Sequence, residues 1–148
     1  MGEQKPDPMD IDKVLECLNR ALVLQQRSVL QFTMGAGSMF GLEYQAVGNE
    51  LWLFARAELQ DTKLLIEKIT ALGGEPTVEV GELSWSSEPA KAVDALIEAE
   101  DETIAALHAV IPHSGQEPRS EALEHLMEHL IMRKQNQVDW LRRARRSP

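Results

Sequence analysis

The sequence predicts an all-helical protein, an antiparallel four-helix bundle with one long crossover between the second and third helices. Four stretches carry apolar residues at the spacing of an amphipathic helix, and the last of them contains Leu123, Met127, Leu130, Val138 and Leu141. Glycine and proline are concentrated between these stretches. The connection between the second and third stretches is too long for a turn between neighbours, whereas the other two are short. A chain of 148 residues suits one domain with a hydrophobic core.

The first half of the chain predicts a flexible arm followed by a helical hairpin. Residues 1–9 are polar and contain proline, which is typical of a flexible terminal segment. Asp10 is a suitable N-cap for a first helix that ends near Met34. After a glycine-rich connection, a second helix is expected over residues 42–72, where Gly73 follows it. The short connection predicts that these two helices are antiparallel neighbours.

The second half of the chain predicts the crossover and two further helices. Residues 75–88 are polar and poor in helix formers, as expected of a segment that crosses the length of a bundle. A third helix is expected from Pro89 to just before Pro112. A fourth helix follows the next turn and ends near Arg143. The predicted boundaries are therefore residues 1–9 for the arm, 10–145 for the bundle and 146–148 for a short tail.

One lysine interrupts the apolar stripe of the fourth helix. Lys134 lies on the face expected to point into the core, where a lysine is rarely left without a partner. The other three helices carry polar residues near the middle of their own apolar stripes, namely Gln25, Glu58 with Asp61 beside it, and Glu100. The sequence separation of Gln25 and Glu58 is nearly equal to that of Glu100 and Lys134, so the two pairs can share one cross-section. The pattern predicts a buried polar layer in which the acids are counter-ions of Lys134.

These residues lie in a sequence that resembles the ferritin-like superfamily, and bacterioferritin in particular, from about Ile11 to Leu141. The likeness is carried by LNRAL and QF in the first helix, ELQDTKLLIEKITALGGEP in the second, GEL in the crossover, ALIEAED in the third helix and VDWL in the fourth. Bacterioferritins hold two irons with a Glu from each of two helices and a Glu-x-x-His from each of the other two. The resemblance places the corresponding positions at Gln25, Glu58 with Asp61, Glu100, and Lys134 with Gln137.

Only Glu58 and Glu100 match the ligands that this resemblance implies. A lysine ammonium repels a metal ion beside it, since unit charges at ~4 Å interact by ~4 kcal/mol at an effective dielectric of ~20. Three arrangements are open: two irons, a single divalent ion held by Glu58, Asp61 and Glu100, or a metal-free ion cluster. The sequence favours the metal-free cluster, in which the ammonium of Lys134 replaces the charge of the irons.

The resemblance to bacterioferritin also bears on whether the chain binds haem or another cofactor. Bacterioferritins that resemble this chain ligate haem through a Met directly after the Glu of the second helix, and Leu59 stands at that position. We therefore expect no haem. We expect no other cofactor either, with iron or another divalent metal as the alternative.

Composition and charge exclude several classes of protein. The formal net charge of −9 argues against general nucleic-acid binding. Cys17 is the only cysteine, so the chain cannot form an intrachain disulfide, and a reducing compartment is expected. The first residues do not resemble a secretory signal, and no apolar run is long enough to span a membrane. A cytoplasmic protein that binds neither nucleic acid nor membranes is the expectation.

The first two helices carry a second apolar stripe that points away from the core. Its members are Val23, Leu30, Trp52, Leu59 and Ile66. The outer faces of the third and fourth helices are polar by comparison. The stripe predicts a homodimer that forms through helices one and two, as the resemblance also implies. The alternative is that these residues pack beneath the arm or the crossover.

Two hypotheses on function follow. In the first, the chain is a non-catalytic ferritin-like protein, a dimeric binding or scaffold protein whose lysine–carboxylate cluster replaces the dinuclear metal site. In the second, it is an iron-binding protein, a ferroxidase or an iron store with an altered carboxylate site, and it serves iron homeostasis as the resemblance implies. A weaker third option is a small-molecule or regulatory module that uses the crossover and Trp85 as its contact surface.

Overall fold

The structure is a computed structural model that describes residues 7–146. Four long helices make up the fold: α1 (Ile11–Ser38), α2 (Gln45–Ala71), α3 (Pro89–His108) and α4 (Ser120–Arg145). Short 3₁₀ turns at Leu42–Tyr44 and Ile111–His113 precede α2 and follow α3. The described residues contain no strand. The predicted four-helix bundle with a crossover between the second and third helices is confirmed.

The helix α1 is longer than the sequence predicts. Asp10 is its N-cap and accepts a hydrogen bond from the backbone N–H of Lys13 at 3.2 Å. The expected end near residue 34 is wrong, since α1 continues through two glycines to Ser38. A Cβ atom at Gly35 would lie 2.6 Å from Leu51 Cδ1 of α2. The glycine allows a close approach of the two helices, and this packing outweighs the low helix propensity of glycine.

The helix α2 starts three residues later than predicted, because residues Leu42–Tyr44 form the 3₁₀ turn. Its C-terminus follows the expected pattern of a glycine exit. Gly73 has a φ of 86°, in the left-handed region that glycine adopts without strain.

The crossover, residues 72–88, runs along α1. The Gly81 N–H donates to the Val23 carbonyl at 3.1 Å. Side chains of α1 bond to the crossover backbone on both sides of this contact: Gln26 Nε2 donates to the Thr77 carbonyl at 3.0 Å and Gln31 Nε2 to the Ser84 carbonyl at 2.8 Å. The crossover is therefore held against α1 along most of its length.

Residues 7–9, the described part of the predicted arm, contact the connection between α3 and α4. The Asp7 carbonyl accepts from the Gln116 N–H at 2.7 Å, and the Met9 side chain is buried in the core. Residues 1–6, and residues 147 and 148 of the predicted tail, lie outside the described residues. No helix between residues 7 and 146 is both long and apolar enough to cross a membrane.

The core consists of two apolar clusters separated by a polar layer. The larger cluster surrounds Leu18, Leu65, Leu107 and Met127, and the smaller one surrounds Phe32, Leu51, Leu96 and Leu141. On every helix, buried polar residues fall between the members of the two clusters: Gln25 and Ser28 on α1, Glu58 and Asp61 on α2, Glu100 on α3, and Lys134 and Gln137 on α4. The polar layer therefore lies inside the bundle, with apolar packing above and below it.

Candidate functional site

Lys134 is the centre of the polar layer. Its side chain is 0% exposed, as is that of Glu58, and the side chain of Glu100 is 1% exposed. The Nζ atom donates to Glu58 Oε2 at 2.7 Å and to Glu100 Oε2 at 2.8 Å. One ammonium group of α4 thus joins a carboxylate of α2 to a carboxylate of α3.

The helix α1 completes the layer with two neutral side chains. Gln25 Nε2 donates to Glu58 Oε2 and, at 3.2 Å, to the Glu58 carbonyl. Ser28 Oγ donates to Glu100 Oε1 at 2.5 Å and lies 3.5 Å from Lys134 Nζ. Every helix therefore contributes at least one polar side chain to a single hydrogen-bonded cluster. We refer to Gln25, Ser28, Glu58, Glu100 and Lys134 as the lysine cluster.

Burial and charge act in opposite directions on Lys134. Burial by itself lowers the pKa of a lysine, because it disfavours the charged form. The charges of Glu100 and Glu58 and their hydrogen bonds outweigh this effect, so that the pKa of Lys134 is raised above its ordinary value. The ammonium form is therefore the form that the folded protein stabilises at neutral pH.

The pKa of Glu100 is also raised. Burial is the main cause, and the neighbouring Glu58 carboxylate adds to it. The charge of Lys134 and the hydrogen bonds from Lys134 and Ser28 lower the pKa again, but only in part. Two carboxylates share one ammonium here, so the cluster has one more potential negative charge than positive charge.

Asp61 is not a direct counter-ion of Lys134, and the predicted pairing is wrong in this respect. Its Oδ2 lies 2.9 Å from Nε of Arg133, in an ion pair that lacks the alignment of a hydrogen bond. The Asp61 side chain is 1% exposed and that of Arg133 is 37% exposed. Burial raises the pKa of Asp61, and the charges of Arg133, Lys134 and His129 oppose this rise. Asp61 lies one helical turn after Glu58. It therefore pairs with Arg133, the residue before Lys134, and not with Lys134 itself.

Gln137 is buried beside the layer but makes no side-chain hydrogen bond to the lysine cluster. Its Oε1 atom has no hydrogen-bond partner in residues 7–146. The same holds for five other buried oxygens: Gln25 Oε1, Gln31 Oε1, Glu58 Oε1, Asp61 Oδ1 and Asp61 Oδ2. The layer therefore contains more hydrogen-bond acceptors than its donors satisfy.

A further buried cation was not predicted. Arg27 of α1 is 7% exposed, and its Nη2 donates to the Ala99 carbonyl of α3 at 3.0 Å. Its Nη1 lies 3.4 Å from the Glu102 carboxylate. Cations of this layer thus come from α1 and α4 and anions from α2 and α3, so the ion pairs join different helices.

The donor set of the lysine cluster does not fit two iron ions. Iron in such a site requires carboxylates and imidazoles, whereas here the ammonium of Lys134 lies within 2.8 Å of both glutamates. Gln25 binds Glu58 through its amide nitrogen, which is not a metal ligand. Among residues 7–146, no three His, Cys, Asp or Glu side chains form a group that could hold a metal ion.

The residues of the predicted dimer face differ in their exposure. Leu30, Trp52 and Leu59 are 44%, 50% and 62% exposed. Val23 and Ile66 are half-buried. Val23 lies where the crossover contacts α1, and Ile66 packs against the larger apolar cluster. Only part of the predicted stripe is thus available at the surface.

An antiparallel four-helix bundle with a long second connection and a polar layer at its centre is the architecture of carboxylate-bridged metal proteins. The model of the ferritin family, described as the ferritin-like domain, matches residues 15–146. The chain belongs to this family.

Two solved structures have the same fold. A ferritin-like, diiron-carboxylate protein from Bacillus anthracis str. Ames has a TM-score of 0.83 at 20% identity, over 93% of this chain and 98% of that chain. The bacterioferritin-related protein of Bacteroides fragilis, described as a dodecameric thioferritin, has a TM-score of 0.82 at 15% identity, over 92% of this chain and 86% of that chain. A search of curated proteins finds no match. At these identities the two structures establish the fold alone.

Proposed function

We propose that this chain is a non-catalytic ferritin-like protein in which the lysine cluster replaces the dinuclear metal site. The observation that carries the proposal is the position of Lys134 Nζ, 2.7 and 2.8 Å from two buried carboxylates on different helices. In a metal-binding bundle, the cations between the helices neutralise the carboxylates and join the helices together. A buried ammonium performs both tasks without redox chemistry.

The lysine cluster favours one register of the four helices. A helix that slides by one turn moves its polar group by ~5.4 Å into apolar surroundings, where an unpaired charge costs several kcal/mol. Glu58, Glu100 and Lys134 can pair only when α2, α3 and α4 are at one level. The cluster thus makes the protein a rigid helical scaffold.

The scaffold is proposed to self-associate, as a homodimer that includes exposed residues of α1 and α2. Within the described residues, all exposed large apolar side chains except Met132 lie on α1, on α2, on the turn between them, or on the crossover. Exposed apolar side chains that are concentrated on a few neighbouring elements are typical of an interaction site. The Bacteroides fragilis relative is described as dodecameric, so self-association occurs on this fold.

Metal analysis tests the proposal. The parent protein, purified from cells grown with added iron, should contain far less than one iron per chain. The variant Lys134→Glu is the matched comparison, since it replaces the cation by a third carboxylate and should raise the iron content above that of the parent. About two irons per parent chain would contradict the proposal.

The second candidate is an iron-binding protein, a ferroxidase or an iron store, with an altered carboxylate site. Three acids of the layer, Glu58, Asp61 and Glu100, are fully buried, and oxygens of Glu58 and Asp61 have no hydrogen-bond partner in residues 7–146. A metal ion could bind them only after Lys134 leaves its two carboxylates. This candidate predicts oxygen-dependent oxidation of added ferrous iron that is lost in Glu58→Ala and in Glu100→Ala. Absence of oxidation in the parent would rule it out.

A further inference from the structure

A row of four polar side chains runs along the outer face of α4. Glu121, His125, His129 and Arg133 follow one another at intervals of four residues, which places them on one face of the helix. Both histidines are exposed, and the side chain of His125 is 69% exposed. This face points to solvent, whereas Lys134 of the same helix points into the core. The row therefore places two imidazoles side by side at the surface.

The imidazole of His129 is in the form that binds metal ions. Its Nε2 atom lies 2.9 Å from Nη2 of Arg133. An arginine side chain can only donate hydrogen bonds, so Nε2 must accept this one and carries a lone pair instead of a proton. A neutral imidazole of this kind is the commonest metal ligand among side chains. A metal ion on Nε2 would replace Arg133 there, and Arg133 would keep its ion pair with Asp61 at 2.9 Å.

The charge around the two histidines favours a cation. Residues 121–129 contain three glutamates and neither lysine nor arginine. Glu121 Oε1 lies 3.7 Å from His125 Nε2, so a carboxylate is next to the ring nitrogen without a hydrogen bond to it. Arg133 is the one cation of the row, and the carboxylate of Asp61 compensates its charge. An incoming metal ion would therefore meet a negative surface.

We propose that His125 and His129 chelate one late first-row divalent ion, of the class of Zn²⁺, Ni²⁺ or Cu²⁺, on the surface of α4. The Cβ atoms of residues four apart on a helix are about 5–6 Å apart, and two histidines at this spacing bind a single zinc ion in helical zinc motifs. Imidazole nitrogen favours these ions, whereas Mg²⁺ and Ca²⁺ prefer oxygen. Residues 7–146 supply no third side chain to the group. The site has two protein ligands, and its other positions are open to water.

This surface site is separate from the lysine cluster. His125 and Lys134 are nine residues apart in α4, which puts them about half a turn apart around the helix axis. A metal ion can therefore bind the two histidines while Lys134 keeps its contacts with Glu58 and Glu100. Binding at the surface requires neither a vacant bundle centre nor a change in the buried charges.

The ring signals of the histidines in proton NMR locate the ion directly, because the chain contains only four histidines. A small amount of Cu²⁺, which is paramagnetic, should broaden the signals of His125 and His129 and leave those of His108 and His113 sharp. His108 is exposed near the end of α3 and is the matched single histidine. Equal broadening of all four signals, or no broadening at all, would overturn the proposal.

Single variants measure the contribution of each ligand. Isothermal titration calorimetry of the parent with zinc chloride should give about one ion per chain, since one pair of imidazoles holds one ion. His125→Ala and His129→Ala should each weaken binding about tenfold or more, because the second imidazole binds the same ion intramolecularly. His108→Ala should bind zinc like the parent, and magnesium chloride should not bind. Both ligand positions are exposed, and circular dichroism checks that the variants are folded. Zinc affinity unchanged in both ligand variants would overturn the proposal.

Discussion

Two sets of ion pairs in this protein have the same distances and opposite surroundings. Lys134 Nζ lies 2.7 and 2.8 Å from Glu58 and Glu100, with side chains at most 1% exposed. Arg142 lies 2.8 Å from Asp101 on the surface of α3 and α4, with side chains 58% and 47% exposed. The distance within an ion pair therefore does not determine how much the pair contributes to the stability of the protein. Water screens the surface pair, whereas the buried groups have only each other.

This difference in screening by water has a structural consequence. A surface pair can break without a large cost, because water replaces the lost partner. If Lys134 is lost, two carboxylates remain in a region from which water is excluded. The buried cluster therefore restricts the arrangement of α2, α3 and α4, whereas the surface pairs place little restriction on it.

The largest effect is expected from Lys134→Met. This change removes the cation but keeps the apolar volume, and it leaves Glu58 and Glu100 without a counter-ion. We expect the free energy of unfolding to fall by about 3–5 kcal/mol at neutral pH. Urea denaturation at pH 7 measures it.

A triple variant is the control for this prediction. Lys134→Met combined with Glu58→Gln and Glu100→Gln removes the unpaired charges, and most of the lost stability should return. If Lys134→Met unfolds like the parent, the lysine is not a required counter-ion.

Alkaline pH should reduce the contribution of Lys134 without a mutation. The pKa of Lys134 is raised on folding, so its contribution is complete below its ordinary value of 10.5 and is lost as the pH rises through the higher pKa of the folded state. The difference in stability between the parent and Lys134→Met should narrow as the pH rises above 10.5. Urea denaturation at a series of pH values measures this difference. If the difference in stability between the parent and Lys134→Met does not narrow at high pH, the ammonium charge is not the source of the stability that Lys134 contributes.

Arg27→Met should have an intermediate effect. The substitution removes the hydrogen bond to the Ala99 carbonyl, but this carbonyl still accepts from the Thr103 hydroxyl at 3.0 Å. We expect a loss of about 1 kcal/mol, because no buried group is left wholly without a partner. Thermal unfolding followed by circular dichroism measures it, and a loss as large as that of Lys134→Met would contradict the distinction between the two sites.

The smallest effect is expected from Arg142→Ala, which removes the surface pair with Asp101. Both side chains are well exposed, so the loss should be about 0.5 kcal/mol or less, and added salt should reduce it further. The same urea titration in low and high salt measures it. A loss of several kcal/mol would show that the surface pair is not screened as we argue.

The sequence contains enough information to place Glu58, Glu100 and Lys134 on inward faces, because helical periodicity determines the face on which a residue lies. It does not determine how far a side chain reaches between helices. Asp61 and Arg133 illustrate this limit, since their contact depends on the spacing of α2 and α4. Ser28 was not predicted, because Gln25 was the only polar residue of the first helix that the pattern placed in the layer. Its polar side chain, three residues after Gln25, is the only signal that could have revealed it.

The end of α1 shows a second limit. Local propensity predicts that glycines at positions 35 and 37 end the helix. Contact with Leu51 of α2 outweighs this preference, and such a contact is visible only once both helices are in place.

An anomalous-scattering experiment at the iron edge tests the central claim most directly, on crystals of protein purified from iron-supplemented cells. The account predicts lysine density between Glu58 and Glu100 with no anomalous peak beside it. Anomalous peaks at the centre of the bundle, with the Lys134 side chain turned away from both glutamates, would contradict it.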